Sequence, residues 1–375
     1  MMKKQNKIYL VIGIVVVVLI AAIVIFSNQQ SEEEVIKIGA ILPLSGSNAV
    51  YGQEIQNAIE LAREEINSEG GINGKVLKII YEDDQADPKM GTNSMQKLVN
   101  VEKVFVVLGS WASGSVVASA PIAEENQVIV LASAISPLIT DAGDYIFRMQ
   151  PSAIFYTSKS TELLRKEGFS TAAIIYINNE FGVGLKNAFI SDFESRGGDI
   201  ISVEAYEQGA SDFRTQLTKI KDKNPEIVFI PGYQDTVDVI KQMKELGIEC
   251  KILAGPPFES QSSIEKLGNM ADGVLYAYHF VAGKNDTKSQ QYEQAYLEKY
   301  GVPTGGFAPL MYDGTYIIAN ALKKCGEETS CIKKELYSTE YNGVTGKVTF
   351  DENGDPLIPI VIKTVKNGKF VPYNK

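Results

Sequence analysis

Histidine is nearly absent: His279 is the only one in 375 residues. A Ser-His or Cys-His nucleophile pair would have to use that one ring. It sits in an apolar run, Tyr276-Ala277-Tyr278-His279-Phe280, where a packed structural histidine is the expectation. Cysteine is scarce as well. With three cysteines and one histidine, a four-ligand structural zinc site would consume every such residue, from distant parts of the chain. Basic residues are outnumbered, 36 against 46 acidic, for a net charge of −10. That balance argues against nucleic acid, whose phosphates need a basic face. What is present is ordinary for a folded protein. Hydrophobic residues make up 45% and charged residues 22%, which excludes a disordered chain. The length suits two domains or three small ones and allows large cores without disulfide staples.

Motifs of catalysis are missing too. Gly70-Gly71-Ile72-Asn73-Gly74-Lys75-Val76 imitates a phosphate loop but lacks its leading glycine and carries Val76 where Ser or Thr is needed. Phe181-Gly182-Val183-Gly184 lacks the third glycine of a dinucleotide fingerprint. No G-x-S-x-G elbow occurs. Asp351-Glu352-Asn353-Gly354-Asp355-Pro356 starts like a calcium loop, but Pro356 and Ile362 occupy positions that need Gly and Glu; a turn is expected. The acidic run Glu82-Asp83-Asp84-Gln85-Ala86-Asp87 is expected to be a solvated cap before Pro88. No enzyme activity, cofactor or metal is expected.

Ile8 to Phe26 is a run of 19 residues without charge or proline, ~28 Å as a helix, enough for one membrane span. Lys3, Lys4 and Lys7 precede it, and Glu32, Glu33 and Glu34 follow. The positive-inside rule places the N-terminus in the cytoplasm and the rest outside. No small-x-small cleavage site follows Phe26, so an anchor at the cell membrane is favoured over a signal peptide. Setting aside those three lysines leaves 33 basic and 46 acidic residues, so the exported body carries −13. Outside the membrane disulfides are permitted, and Cys325 and Cys331 are spaced to close a small loop. Cys250 is expected to be a small core residue. Asn285-Asp286-Thr287 fits a glycosylation sequon.

From Val35 short apolar runs alternate with amphipathic stretches. VIKIGAIL, KVLKIIYE, VFVVLGS and VIVLASA read as strands, with helices between them. The rhythm breaks near Phe147-Arg148-Met149-Gln150-Pro151-Ser152, then restarts through TAAIIYIN, EIVFIPG and CKILAG. This predicts an α/β fold of two doubly wound, parallel-sheet lobes joined by a hinge, preceded by one N-terminal transmembrane helix. The expected division is residues 1–30 as anchor, 35–151 plus 279–349 as one lobe, and 152–278 plus 350–375 as the other. Such sheets bind ligands at their strand carboxyl ends, which two hinged lobes turn toward each other. Leu108-Gly109-Ser110-Trp111-Ala112-Ser113-Gly114-Ser115 ends a strand and opens a helix. Its free N–H groups suit a carboxylate or phosphate; an ordinary serine N-cap is the plainer alternative. Trp111, the only tryptophan, stands at the same strand end.

At these residues the chain resembles the branched-chain amino-acid binding proteins of ABC importers, which have the type I periplasmic-binding-protein fold. The matching stretches, in family order, are IKIGAILPLSG, YGQE, AREEINSEGGINGK, DDQADP, ASAISPLIT, FRMQPS, EFGVGL, VFIPGY, MKELGI and TGKVTFDENGD. The resemblance implies capture of a small carboxylate-bearing solute between the lobes and delivery to an ABC permease. It implies that Ser113 and neighbouring amides hold the carboxylate, that the Ser133 carbonyl meets the ammonium and that Tyr51 lines the pocket. Phe181 and Tyr233 would come from the second lobe. Two departures matter: Ile135 stands where a threonine is usual, and Pro257 where a glutamate neutralises the ammonium. Glu259, Asp235 and Asp313 are the candidate replacements for that charge. Some relatives bridge positions matching Ala86 and Ala112 by a disulfide, absent here as a unit. The alternatives are a binder of an amine-free acid or small amide, and an extracellular sensor built on the same body.

Overall fold

The computed structural model describes residues 34–279 and 286–373. The Ile8–Phe26 run and Asn285 lie outside them. Among the described residues no helix is long and apolar enough to cross a membrane. Five strands, β1 (Val35–Leu42), β2 (Val76–Asp83), β3 (Val106–Gly109), β4 (Ile129–Ala132) and β5 (Ile146–Arg148), form a parallel sheet in the order β2-β1-β3-β4-β5. Helices α1 (Ala49–Ser68), α2 (Pro88–Asn100) and α3 (Ser113–Glu125) connect the first four strands. Every residue of β3 and β4 is buried, as apolar runs covered on both faces must be. Local chemistry sets the helix starts: Asp87 caps α2, accepting from Met90 N–H at 2.9 Å, with Pro88 at the first helical position.

The chain then passes to a second sheet. Its parallel part is β6 (Thr171–Ile177), β7 (Asp199–Tyr206), β8 (Ile227–Ile230), β9 (Lys251–Ala254) and β10 (Leu275–Tyr278), with α4 (Ala153–Lys166) leading into β6 and α5 (Glu180–Ser195), α6 (Arg214–Lys223), α7 (Thr236–Glu245) and α8 (Gln261–Leu267) between the strands. The chain returns to the first unit for α9 (Thr287–Tyr300), α10 (Phe307–Cys325) and α11 (Thr329–Tyr337). There Tyr300 donates to the Asn57 carbonyl at 2.7 Å and Tyr316 to Glu65 at 2.8 Å, fastening α9 and α10 to α1. A hairpin, β11 (Tyr341–Gly343) and β12 (Gly346–Val348), follows. Finally β13 (Val361–Lys366) and β14 (Lys369–Pro372) join the second sheet antiparallel, in the order β14-β13-β10-β9-β8-β6-β7. The second sheet is therefore mixed, not wholly parallel: the Asn367-Gly368 turn sends β14 back along β13.

Residues 350–356 pack on the first sheet. Phe350 meets Phe147 edge-on at 5.6 Å, and the Asp351–Asp355 segment is the expected turn. Arg148, fully buried, donates to both oxygens of Asp355 at 2.5 Å and to the Ser136 carbonyl at 2.8 Å. Cys325 and Cys331 are disulfide-bonded, with Cα atoms 5.6 Å apart, between α10 and α11. Cys250 is half-buried against the core, and burial pushes its thiol up to about 11.

Candidate ligand-binding site

The strand carboxyl ends of the two sheets face each other, and the sequence-predicted site residues gather there. Tyr51 lies in the first turn of α1, which starts four residues before Gln53, where the apolar spacing suggested. Trp111 and Ser113 follow β3. Gly109 ends that strand at φ +92°, and a Cβ there would fall 2.2 Å from the Ile41 carbonyl oxygen, so only glycine fits the turn. Ser133 and Ile135 follow β4. From the second lobe come Phe181 in the first turn of α5, Tyr233 after β8, and Pro257 in a single 3-10 turn, Pro256–Phe258. All eight are buried.

Four rings form a column across the two lobes. Tyr51 stacks on Trp111 at 4.4 Å and 14°; Trp111 meets Tyr233 at 4.7 Å; Tyr233 meets Phe181 at 4.6 Å. The Tyr51 hydroxyl donates to the Pro257 carbonyl at 2.8 Å and accepts from Gln234 Nε2 at 3.0 Å. Burial raises that hydroxyl's pKa well above its ordinary value, so it remains a neutral donor. Beside this column a small cavity of about 10 Å³, room for roughly one water, is lined by Trp111, Ser133, Ile135, Phe181, Pro257 and Gln150 among others. Larger cavities lie elsewhere, such as one of about 490 Å³ between Leu138 and α5.

α3 begins at Ser113 with Ala112 as its cap residue, and no side chain caps it. The serine N-cap alternative therefore does not hold. The first bond of the helix runs from Val116 N–H to the Ala112 carbonyl, leaving the amides of Ser113, Gly114 and Ser115 ahead of the ladder. The Ser113 hydroxyl accepts from Ser136 N–H at 3.2 Å and weakly from Ile135 N–H at 3.4 Å. Gly114 faces the second lobe: a Cβ on it would lie 3.8 Å from Glu180 Cγ.

Several expectations need correction. The acidic run before Pro88 is a solvated cap only in part: Asp87 is exposed and caps α2, but Asp84 is not solvated. Asp84 is fully buried, accepts from Ser110 Oγ at 2.5 Å and from Ala86 N–H at 3.0 Å, and its pKa is raised by burial. The Ser133 carbonyl, expected to meet an ammonium, also accepts from Gln150 Nε2 at 2.5 Å, which takes one of its two acceptor positions. Of the substitute carboxylates, Asp313 is committed to Val344 N–H and Thr345 N–H at 2.9 Å each. Glu259 pairs with Lys363 at 2.5 Å. Asp235 lies at the start of α7, its carboxyl pushed up to about 6 by burial. None of the three lines the cavity. His279 is structural: Nδ1 bonds the Tyr156 hydroxyl at 2.5 Å, Nε2 the Gly306 carbonyl at 3.0 Å, and burial drops its pKa to about 4. Gln150, Gln234 and Phe307 were missed in sequence. Phe307 stands edge-on to Tyr51 and Trp111 at 5.8 and 5.9 Å. Among the described residues no cluster of His, Cys, Asp and Glu is placed to hold a metal ion.

Glu54, on α1, stands near the boundary with the second lobe, where it shares a cavity with Glu259. Burial first, and then the Glu259 charge, push its carboxyl up to about 8. The folded protein thus prefers the protonated acid, and this stabilisation fades as pH rises from the ordinary 4.5 toward 8. Glu54→Gln should gain stability over wild type progressively across that window, by on the order of a few kcal/mol at its upper end. Urea unfolding at a series of pH values checks this; a pH-independent difference contradicts it.

An α/β body with two sheets, facing strand ends and a shared aromatic cleft is a two-lobed solute-capture protein. Comparison with known proteins agrees. Residues 35–369 match the periplasmic binding protein family model, and the chain belongs to that family, whose members bind solutes and are not enzymes. It is 27% identical to the leucine-, isoleucine-, valine-, threonine- and alanine-binding protein of Pseudomonas aeruginosa, over 86% of this chain and 87% of that one. The leucine-binding protein structure from Thermotoga maritima superposes with TM-score 0.85 at 27% identity, covering 90% of this chain and 98% of that one. A solute-binding protein of an ABC transporter from Rhodopseudomonas palustris, in complex with 3,4-dihydroxybenzoic acid, gives TM-score 0.80 at 25% identity, with 88% and 93% covered.

Proposed function

We propose that this protein captures a small carboxylate-bearing solute between its lobes and hands it to an ABC permease. The observation that carries this is the uncapped N-terminus of α3 at the cleft, beside a cavity whose lining is mostly apolar. Three amides ahead of the helical ladder and the helix dipole favour an anion. The surrounding rings bury an apolar body, ~1.5–3 kcal/mol for a leucine-sized group. Hydrogen bonds to a charged group add roughly 1.5–3 kcal/mol each, and the sum reaches micromolar affinity, ~8 kcal/mol. Relatives named for branched-chain amino acids, and one bound to a dihydroxybenzoic acid, support a carboxylate ligand.

In this reading Ser113 and its neighbours anchor the carboxylate, Tyr51, Trp111, Phe181 and Tyr233 enclose the body, and Ser133, Ile135 and Pro257 shape the inner wall. One lobe comprises residues 35–151 plus 279–349, and also 350–356, which pack on the first sheet; the rest of 152–375 forms the other. The Ile8–Phe26 run anchors the protein in the cell membrane, with its body on the extracytoplasmic side. Thermal unfolding against leucine, isoleucine, valine, their amine-free acids, benzoate and the methyl esters of each tests the carboxylate. A free acid at 100 times its dissociation constant should add ~2.7 kcal/mol, and its ester should add far less. Equal shifts from acid and ester would overturn the reading.

A further inference from the structure

We propose that Gln150 sets the ligand class of this cleft: it takes one of the two acceptor positions of the Ser133 carbonyl, leaves an ammonium there short of acceptors and without a counter-charge, and offers its own Oε1 to a neutral hydroxyl. This rests on the carboxylate reading above and narrows it to amine-free acids, 2-hydroxy acids foremost. The placement follows from strand pairing. Ala132 at the end of β4 lies beside Arg148 at the end of β5, and Met149 N–H bonds the Ala132 carbonyl at 2.8 Å. The next residue leaving β5, Gln150, therefore comes alongside Ser133. Its Nε2 donates to the Ser133 carbonyl at 2.5 Å and to Ser133 Oγ at 3.0 Å. The carboxamide orientation is fixed by that carbonyl, since the flipped amide would set two acceptors against each other. Gln150 and Ser133 are both buried, 1% and 0% exposed, and both line the cleft cavity.

The consequences are chemical. Ser133 N–H is already spent on the Ser110 carbonyl at 3.0 Å, and one acceptor position of its carbonyl on Gln150. No Asp or Glu lines the cavity among the described residues. An ammonium entering there would find the Ser133 carbonyl with one acceptor position left and no counter-charge, and a buried charge without a counter-charge costs several kcal/mol. Gln150 Oε1 receives no protein donor among the described residues. An acceptor at that spot rewards a neutral O–H or N–H on the ligand, and such a site discriminates against analogues lacking the donor.

The test is calorimetric titration of the full-length protein with leucine, its 2-hydroxy analogue 2-hydroxy-4-methylpentanoate, and 4-methylpentanoate, which has no donor at that carbon. Wild type should bind the hydroxy acid at least tenfold more tightly than leucine, and more tightly than 4-methylpentanoate. Gln150→Glu keeps the volume, cannot donate to the carbonyl when ionised, and supplies a charge for ammonium. The hydroxy-acid to leucine ratio should swing at least tenfold toward leucine. Gln150→Ala should move the ratio the same way by freeing the carbonyl. A merely structural role for Gln150 would weaken all three ligands together and leave the ratio fixed, which would overturn the inference. A wild type that prefers leucine overturns it while leaving the carboxylate reading intact. A wild type that binds none of the three overturns it as well, and the carboxylate reading is then decided by the acid-against-ester comparison above.

Discussion

Replacing Trp111 by alanine is expected to weaken ligand capture about a hundredfold. The indole is the middle of the ring column, 4.4 Å from Tyr51 on its own lobe and 4.7 Å from Tyr233 on the other. Removing a buried tryptophan costs about 3–5 kcal/mol where the site cannot collapse. Much of that loss is expected to fall on lobe closure, because the Trp111–Tyr233 contact joins a residue of one lobe to a residue of the other. A loss of roughly 3 kcal/mol in closure corresponds to more than a hundredfold in affinity. Trp111→Phe retains a ring for both neighbours and should stay within about tenfold of wild type. Calorimetry with the acid giving the largest melting shift checks both variants. An alanine variant that binds like wild type would mean that the column does not enclose the ligand.

Arg148→Ala should lower folding stability by about 3–5 kcal/mol, because it strands Asp355 as a buried, uncompensated charge. The pair is enclosed, with side-chain exposures of 0% and 7%, so solvent offers little relief. The guanidinium also satisfies the Ser136 carbonyl at 2.8 Å. Through Ser136 it braces the loop whose N–H bonds the Ser113 hydroxyl at 3.2 Å. Removing both partners, Arg148→Leu with Asp355→Leu, should recover much of the loss, since replacing a buried ion pair by apolar groups is often near neutral. Urea unfolding of single and double variants measures the coupling; additive single effects would contradict the pair's role.

Much of this molecule was legible in its sequence because the signals were periodic or chemical. Continuous apolar runs such as Val106–Gly109 and Ile129–Ala132 mark strands buried on both faces, and all their residues are buried. The residues after those strands were readable as cleft residues because open α/β sheets place ligands there. What was not legible depended on pairing across distance. Gln150 reaches Ser133 only because β5 lies beside β4. Nothing local in Met149-Gln150-Pro151 announces that contact. Of the three proposed replacement carboxylates, which stood close in sequence to cleft segments, Asp313 is committed to backbone amides and Glu259 to Lys363, while Asp235 stands at the start of α7 and does not line the cavity. Asp84 looked solvated in an acidic run, but the chain folds it under Ser110. The antiparallel edge of the second sheet was legible in part: the Lys366-Asn367-Gly368-Lys369 turn marks its final hairpin, but the pairing of β13 with β10 was not, since β13 begins more than 80 residues after β10 ends.

The central claim is that a carboxylate is captured in this one cleft, against the rings. The chain contains one tryptophan, Trp111, so its emission reports that site alone. The decisive measurement is tryptophan fluorescence of the full-length protein, titrated with each acid that raises its melting temperature. The account predicts a saturable change in emission whose midpoint matches the calorimetric dissociation constant. An acid that stabilises the protein and leaves the emission unmoved would be bound elsewhere, contradicting the account.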